Sequence, residues 1–171
     1  MIRLLGIDPG LRFTGWGVID VKDNRLFHVE NGVISTDSTT SVPERLEKLY
    51  KELQTIITRL TPTEAAVEET YVNRNGSSTL KLGYARGIAL LAPAMAGLTV
   101  SEYGALAIKK AVVGTGSASK IQVQTMVHHL LPGITITRSD ASDALALAIC
   151  HAHYRTSVHH IMTREEIKRI V

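Results

Sequence analysis

The chain of 171 residues contains one cysteine, Cys150, so an internal disulfide framework is excluded. It has no apolar run approaching the roughly 18 residues of a membrane-spanning helix. The segment before Asp8 carries one arginine and a short apolar stretch, which is not the pattern of a secretory signal. No Pro/Gly/Ser linker divides the chain, and it holds no internal repeat or low-complexity tract. There is little excess of either charge. Nineteen Lys and Arg face 16 Asp and Glu, a net charge of +3, which is compatible with a polyanionic partner but does not by itself single one out. These absences favour a cytoplasmic protein with no membrane association. What is present is 44% apolar residues, enough for a folded domain with a sizeable core. We place that domain at residues 1–155 and a short tail, helical by its pattern, at 156–171. Thr163 and Glu166 in the tail have capping-box spacing.

Apolar alternation predicts strands over residues 2–8, 13–20 and 26–35, with turn chemistry in "KDN" and "NGV". Three strands joined this tightly imply an antiparallel meander. Residues 44–60 carry Leu46, Leu49, Leu53, Ile56, Ile57 and Leu60 at helical spacing, between Pro43 and Pro62. A short strand is expected at 64–70, a long helix rich in small residues at 78–96 and a further strand at 98–103. Helices follow at 104–112, 119–131 and 141–154. A meander followed by strand–helix alternation predicts an α/β fold, a mixed sheet with helices on both faces.

"RLLGIDPGLRFTGWGVI" raises a question of charge. An apolar strand ends in Asp8, and an ionised carboxylate there is costly unless compensated. Glu68 lies within or at the end of the fourth strand, and Asp140 and Asp143 open the last long helix. Each has a plainer reading. Asp8-Pro9-Gly10 suits a turn, Glu68 suits a solvated strand face, and Asp140 and Asp143 suit an N-cap and an N3 acid. Together they suggest something else. Ligands in such sheets gather at strand ends, and residues at i and i+3 lie roughly 5–6 Å apart on one helix face. If that helix start meets the ends of strands one and four, four carboxylates converge. Like charges then raise one another's pKa, and divalent cations are the usual remedy. An all-oxygen set suits Mg²⁺ or Mn²⁺ over Zn²⁺. Two ions about 3.5–4 Å apart suit attack by water on a phosphodiester.

The segments "GIDPGLRFTGWGVI", "VEETYVNRN", "LKLGYARG", "VVGTGSASK" and "SDASDALALAI" occur in order over about residues 1–155. Together they resemble the RuvC family of bacterial Holliday junction resolvases. The resemblance implies a ribonuclease H-like mixed sheet and a homodimer. It also implies Mg²⁺-dependent nicking of two strands of like polarity at a four-way DNA junction, during recombination and repair. It implies two ions per active site, with Mn²⁺ as a substitute, and a branch-migration motor complex as a partner. The family's four catalytic acids match Asp8, Glu68, Asp140 and Asp143. Some members carry His where this chain has Asp140, so Asp140 either holds metal or orients the water.

The resemblance also assigns Lys109 and Lys120 to DNA binding and catalysis, and matches Tyr71 to an aromatic that packs on an unpaired base at the crossover. Such stacking contributes roughly 1–3 kcal/mol per base. Arg74 is placed at a phosphate, with Arg12 and Arg86 as auxiliary contacts. The plainer alternatives are solvated surface lysines and a rim tyrosine. Gly114 and Gly116 lead into a helix start, a setting suited to anions and equally to a plain turn and cap. Ser119 and Ile121 break the P-loop pattern, so nucleotide binding is excluded there.

The helix "LKLGYARGIALLAPAMAG" is apolar nearly all round, through Leu80, Leu82, Ile88, Leu90, Leu91 and Met95. One face can cover the sheet while the other meets a twofold partner through Gly83 and Gly87, or the helix is central to a monomer's core. The pairs His128–His129 and His159–His160, and His151 with His153, are assigned to helix ends or the tail rather than to a metal. Cys150 and Trp16 read as core. Three other classes compete with a junction nuclease. A sugar-kinase or actin-like ATPase needs two large domains, a non-catalytic junction binder has no use for all four acids, and a relative acting on RNA differs only through the family pattern.

Overall fold

The computed structural model describes residues 1–69 and 76–158, with side chains to residue 155. Strands β1 (Ile2–Asp8), β2 (Phe13–Lys22), β3 (Arg25–Ser35), β4 (Glu64–Glu68) and β5 (Thr99–Tyr103) form one sheet in the order β3-β2-β1-β4-β5. β1, β2 and β3 pair antiparallel, whereas β4 runs parallel to both β1 and β5. The parallel pairs require crossovers. α1 (Val42–Leu60) links β3 to β4, and α2 (Gly76–Met95) links β4 to β5. α3 (Ala105–Val113), α4 (Lys120–Leu130) and α5 (Ser139–Val158) follow.

Each side of the sheet has its own core. Leu5, Ile7, Trp16, Val18 and Val67 point toward α1 and α2, where Leu49, Leu53, Ile56 and Ile57 cover them. Leu4, Ile19 and Ala66 point the other way, against α5, Ile108 of α3 and Val123 and Val127 of α4. The expected mixed sheet with helices on both faces is therefore present.

Local chemistry explains the element ends. Asp23 and Asn24 both have positive φ, 49° and 60°, which makes "KDN" the tight turn between β2 and β3. α1 starts with a capping box between Ser41 and Glu44 and carries a proline in its first turn. The segment "NGV" makes no turn. It lies within β3, where Gly32 sits against the Trp16 ring. α5 begins at Ser139, so Asp140 stands inside its first turn and is not the cap.

Glycine decides how α5 meets the sheet. A β-carbon at Gly15 would stand 1.9 Å from the Asp140 carbonyl oxygen, and one at Gly6 2.1 Å from that of Ala144. Both contacts are far inside van der Waals separation, so only glycine lets the α5 backbone lie on β1 and β2. A buried polar seam holds the far end of the helix. His151 Nε2 is 3.0 Å from Glu64 Oε2, and Arg155 Nη2 donates to Glu64 Oε1 at 2.6 Å. Tyr103 Oη is 2.8 Å from His151 Nδ1. Burial lowers the His151 pKa, so the neutral ring accepts from Tyr103 and donates to Glu64. His151 is thus a core residue in mid-helix and does not serve the helix end as the sequence pattern implied.

Among the exposed residues of α2 are Leu80, Gly83, Tyr84, Gly87, Leu91 and Met95, which fall on one face. Ala85, Ala89 and Ala92 are buried against the sheet. Ile88 and Leu90 are half-buried beside the α1 core, so the apolar girdle read from the sequence divides into a covered half and an open half. The tail beyond residue 158, with Thr163 and Glu166, lies outside the described residues, as do Tyr71 and Arg74.

Replacing Gly15 with alanine must push α5 off the sheet. We expect Gly15→Ala to cost about 1–3 kcal/mol, the usual range for overpacking. By calorimetry that is a drop in Tm of about 2–4 °C per kcal/mol. An unchanged Tm would show that the helix does not need the contact.

Candidate active site

β1 and β4 are parallel neighbours, so Asp8 and Glu68 emerge at the same edge of the sheet. The α5 N-terminus is held over that edge by the glycine contacts, which brings Asp140 and Asp143 to the same place. All four carboxyl groups are half-buried. Burial, and next the charges of Glu68, Asp143 and Asp140, push the Asp8 pKa up to about 8. Burial also raises Glu68 and Asp143, with the charge of Asp143 adding to the effect on Glu68. A hydrogen bond from the Asp8 side chain works against the rise at Glu68. This mutual destabilisation is the signature of like charges gathered in a poorly solvated spot.

The cations nearby come from two lysines and an arginine. Lys120, the first residue of α4, donates from Nζ to Asp143 Oδ2 at 2.6 Å. That hydrogen bond raises the lysine pKa and keeps it charged. Arg138 reaches Asp140 Oδ2 with Nε at 3.2 Å, and its guanidinium stacks 3.8 Å from the Phe13 ring centroid. Lys109 of α3 lines a cleft of about 300 Å³ together with Glu68, Lys120 and Asp143. As the side chains stand, no three acidic, histidine or cysteine groups among the described residues converge closely enough to hold a metal ion. Two of the acids explain this directly, because Asp143 is turned to Lys120 and Asp140 to Arg138.

The loops that follow β1 and α3 are themselves fixed. Thr14 Oγ1 donates to the Gly10 carbonyl at 2.7 Å, closing the turn after Asp8. Arg45, buried in α1, donates to the Leu11 carbonyl at 3.2 Å and to Thr36 Oγ1 at 2.9 Å. The 114–120 loop ends α3 on Gly114, at φ 90°, and starts α4 on the Ser119–Gln122 capping box. Its glycine and serine act as caps, and the loop delivers Lys120 to the cleft.

Glu68, Asp143, Lys109 and Lys120 therefore share one cleft, and Asp8 and Asp140 lie within electrostatic reach of it. Arg86 is ion-paired with Glu102, Arg12 stands over the Phe13 ring, and neither is among the residues that line the cleft. Arg138 was not foreseen. Its signal was its place two residues before Asp140, in "RSDASD".

A family profile described as "Crossover junction endodeoxyribonuclease RuvC" matches residues 4–151. A protein of that name from Gluconacetobacter diazotrophicus is 70% identical over 157 residues, covering 92% of this chain and 94% of the relative. Another from Gluconobacter oxydans is 67% identical over 162 residues, covering 95% and 96%. Thermus thermophilus RuvC, solved in complex with a Holliday junction substrate, superposes with a TM-score of 0.86 at 32% identity, over 92% of this chain and 97% of that one. The yeast mitochondrial Holliday junction resolvase Ydc2 shares the fold at 13% identity, with a TM-score of 0.69. On this evidence the chain belongs to the crossover junction endodeoxyribonuclease RuvC family.

Proposed function

We propose that this chain resolves four-way DNA junctions by paired symmetric nicks, using Asp8, Glu68, Asp140 and Asp143 at its cleft with Mg²⁺ as the cofactor, two ions per site. The observation that carries the reading is that four half-buried acids lie within electrostatic reach of one another beside Lys109 and Lys120. The relative solved with a Holliday junction supports the substrate. The donor set is all oxygen, which suits a hard divalent cation. The raised pKa of Asp8 is the free-energy cost that such a cation relieves.

Bound divalent ions supply Lewis acidity at the phosphodiester and an acidified water. The chain supplies the rest. Asp8, Glu68 and Asp143 would hold the ions, and Asp140 would be either a fourth ligand or the group that orients the water. Asp143 must release Lys120 to act as a ligand, and the freed ammonium then lies at the cleft for a phosphate oxygen. Lys109, which lines the same cleft, would steady the charge that grows on the phosphate oxygens. Tyr71 is assigned to stacking on an unpaired base and Arg74 to a phosphate. Two symmetric cuts need two sites, and the open face of α2 at Leu80, Gly83, Tyr84, Gly87 and Leu91 suits a twofold partner. A cytoplasmic setting and a motor complex that delivers the junction complete the reading.

Nicking of a synthetic four-way junction with Mg²⁺ tests the central claim. Asp8→Asn and Glu68→Gln should bind the junction and leave it uncut. Turnover by either variant removes that residue from the machinery.

The raised acid has a stability consequence. Above its ordinary pKa near 3.8 Asp8 ionises in the unfolded chain while the folded protein keeps it protonated up to about pH 8. The folded state then binds more protons, so metal-free stability falls as pH rises through that window. Asp8→Asn should therefore raise the metal-free Tm by a few degrees at pH 8, on the scale of about 2–4 °C per kcal/mol, and by less at pH 5. An equal shift at both pH values means that Asp8 is not destabilised by its charge.

Leu91→Glu should convert the dimer to a monomer in sedimentation analysis. An unchanged dimer moves the interface to another surface.

A further inference from the structure

A second cleft, also about 300 Å³, lies beside the α5 N-terminus and is lined by Gln124, His128, Thr137, Arg138, Ser139 and Ser142. Ser142 is only 2% exposed, and its Oγ has no hydrogen-bond partner among the described residues. A buried hydroxyl without a partner is costly in a native fold and marks a position that something else completes. The surroundings specify the charge of what is missing. Arg138 spends only Nε on Asp140, and its two terminal nitrogens are unpartnered among the described residues. α5 is 20 residues long, and the residue before it is Arg138, which has no side-chain acceptor to cap the first amides. No carboxylate lines the cleft. A guanidinium, the positive end of a helix and several hydroxyl and amide donors suit an oxyanion.

We propose that this cleft holds a backbone phosphate of the junction DNA, on the strand that enters the catalytic cleft. The proposal rests on the junction-cutting reading above. Ser139 is the sequence neighbour of Asp140 and Ser142 of Asp143, so the two clefts lie next to each other along the start of α5. A ligand with regularly spaced phosphates can occupy both at once, whereas a free anion occupies only one. Ser142 Oγ and Arg138 donate to the phosphate oxygens, and the strand is thereby positioned with another of its phosphates facing the four acids. Such contacts fix register and carry no base sequence.

The test measures binding of a labelled four-way junction to the full chain by fluorescence anisotropy without divalent metal, over a range of salt. Ser142→Ala deletes a buried hydroxyl that has no internal partner, so the fold should be kept and the Tm unchanged or raised, which circular dichroism checks. We expect its junction Kd to rise about tenfold, the size of one hydrogen bond to a charged group. Arg138→Gln should lower the slope of log K against log salt by about 0.9, one phosphate contact. Wild-type Kd and slope in both variants would overturn the phosphate site while leaving the nuclease reading intact. Sub-millimolar binding of inorganic phosphate that Ser142→Ala abolishes, with junction affinity unchanged, would assign the cleft to a free anion and also overturn it. Failure of the wild-type chain to bind or nick the junction would overturn the nuclease reading, and the phosphate site with it.

Discussion

The contact between the backbone of α5 and strands β1 and β2 governs this molecule. At Gly6 and Gly15 the helix lies so close to the sheet that no side chain fits between them. The proximity brings the first turn of α5 over the edge where β1 and β4 end. The sheet contributes Asp8 and Glu68 and the helix contributes Asp140 and Asp143. A larger residue at either glycine would separate the two pairs. The Glu64–His151–Tyr103 seam ties the other end of the same helix to β4 and β5.

Packing this close concentrates negative charge where solvent is scarce. The fold tolerates it partly by protonation, since the Asp8 pKa lies near 8, and partly by pairing, through Lys120 with Asp143 and Arg138 with Asp140. Neither remedy is permanent. A protonated carboxyl is a poor metal ligand, and an ion pair must open before either partner can meet a phosphate. The site therefore holds free energy that a divalent cation and a polyanion can release, at the expense of stability in their absence. Lys109 and Lys120 line the cleft, and Arg138 stands beside Asp140.

Much of this was legible beforehand. Strong alternation and helical periodicity placed every described strand and helix to within a few residues, because burial of one face leaves a regular imprint. The acids stood out because each interrupts or borders an apolar run. Other features left weaker traces. "NGV" has turn composition, yet Gly32 serves as space for Trp16 within a strand, and composition does not separate the two uses. His151 looked like a helix-end histidine because the partners that make it a core residue, Glu64 and Tyr103, are 87 and 48 positions away.

By itself the sequence determined the element types, the two-sided burial of the sheet and the identity of the acidic residues, since each is written in local period and composition. Tertiary structure alone decided which acids face a cation, which hydroxyl is stranded, and which face of α2 stays open. Those outcomes depend on distances between segments far apart in the chain. Such distances are set by how closely a helix can approach a sheet, a steric quantity that no local window of residues contains.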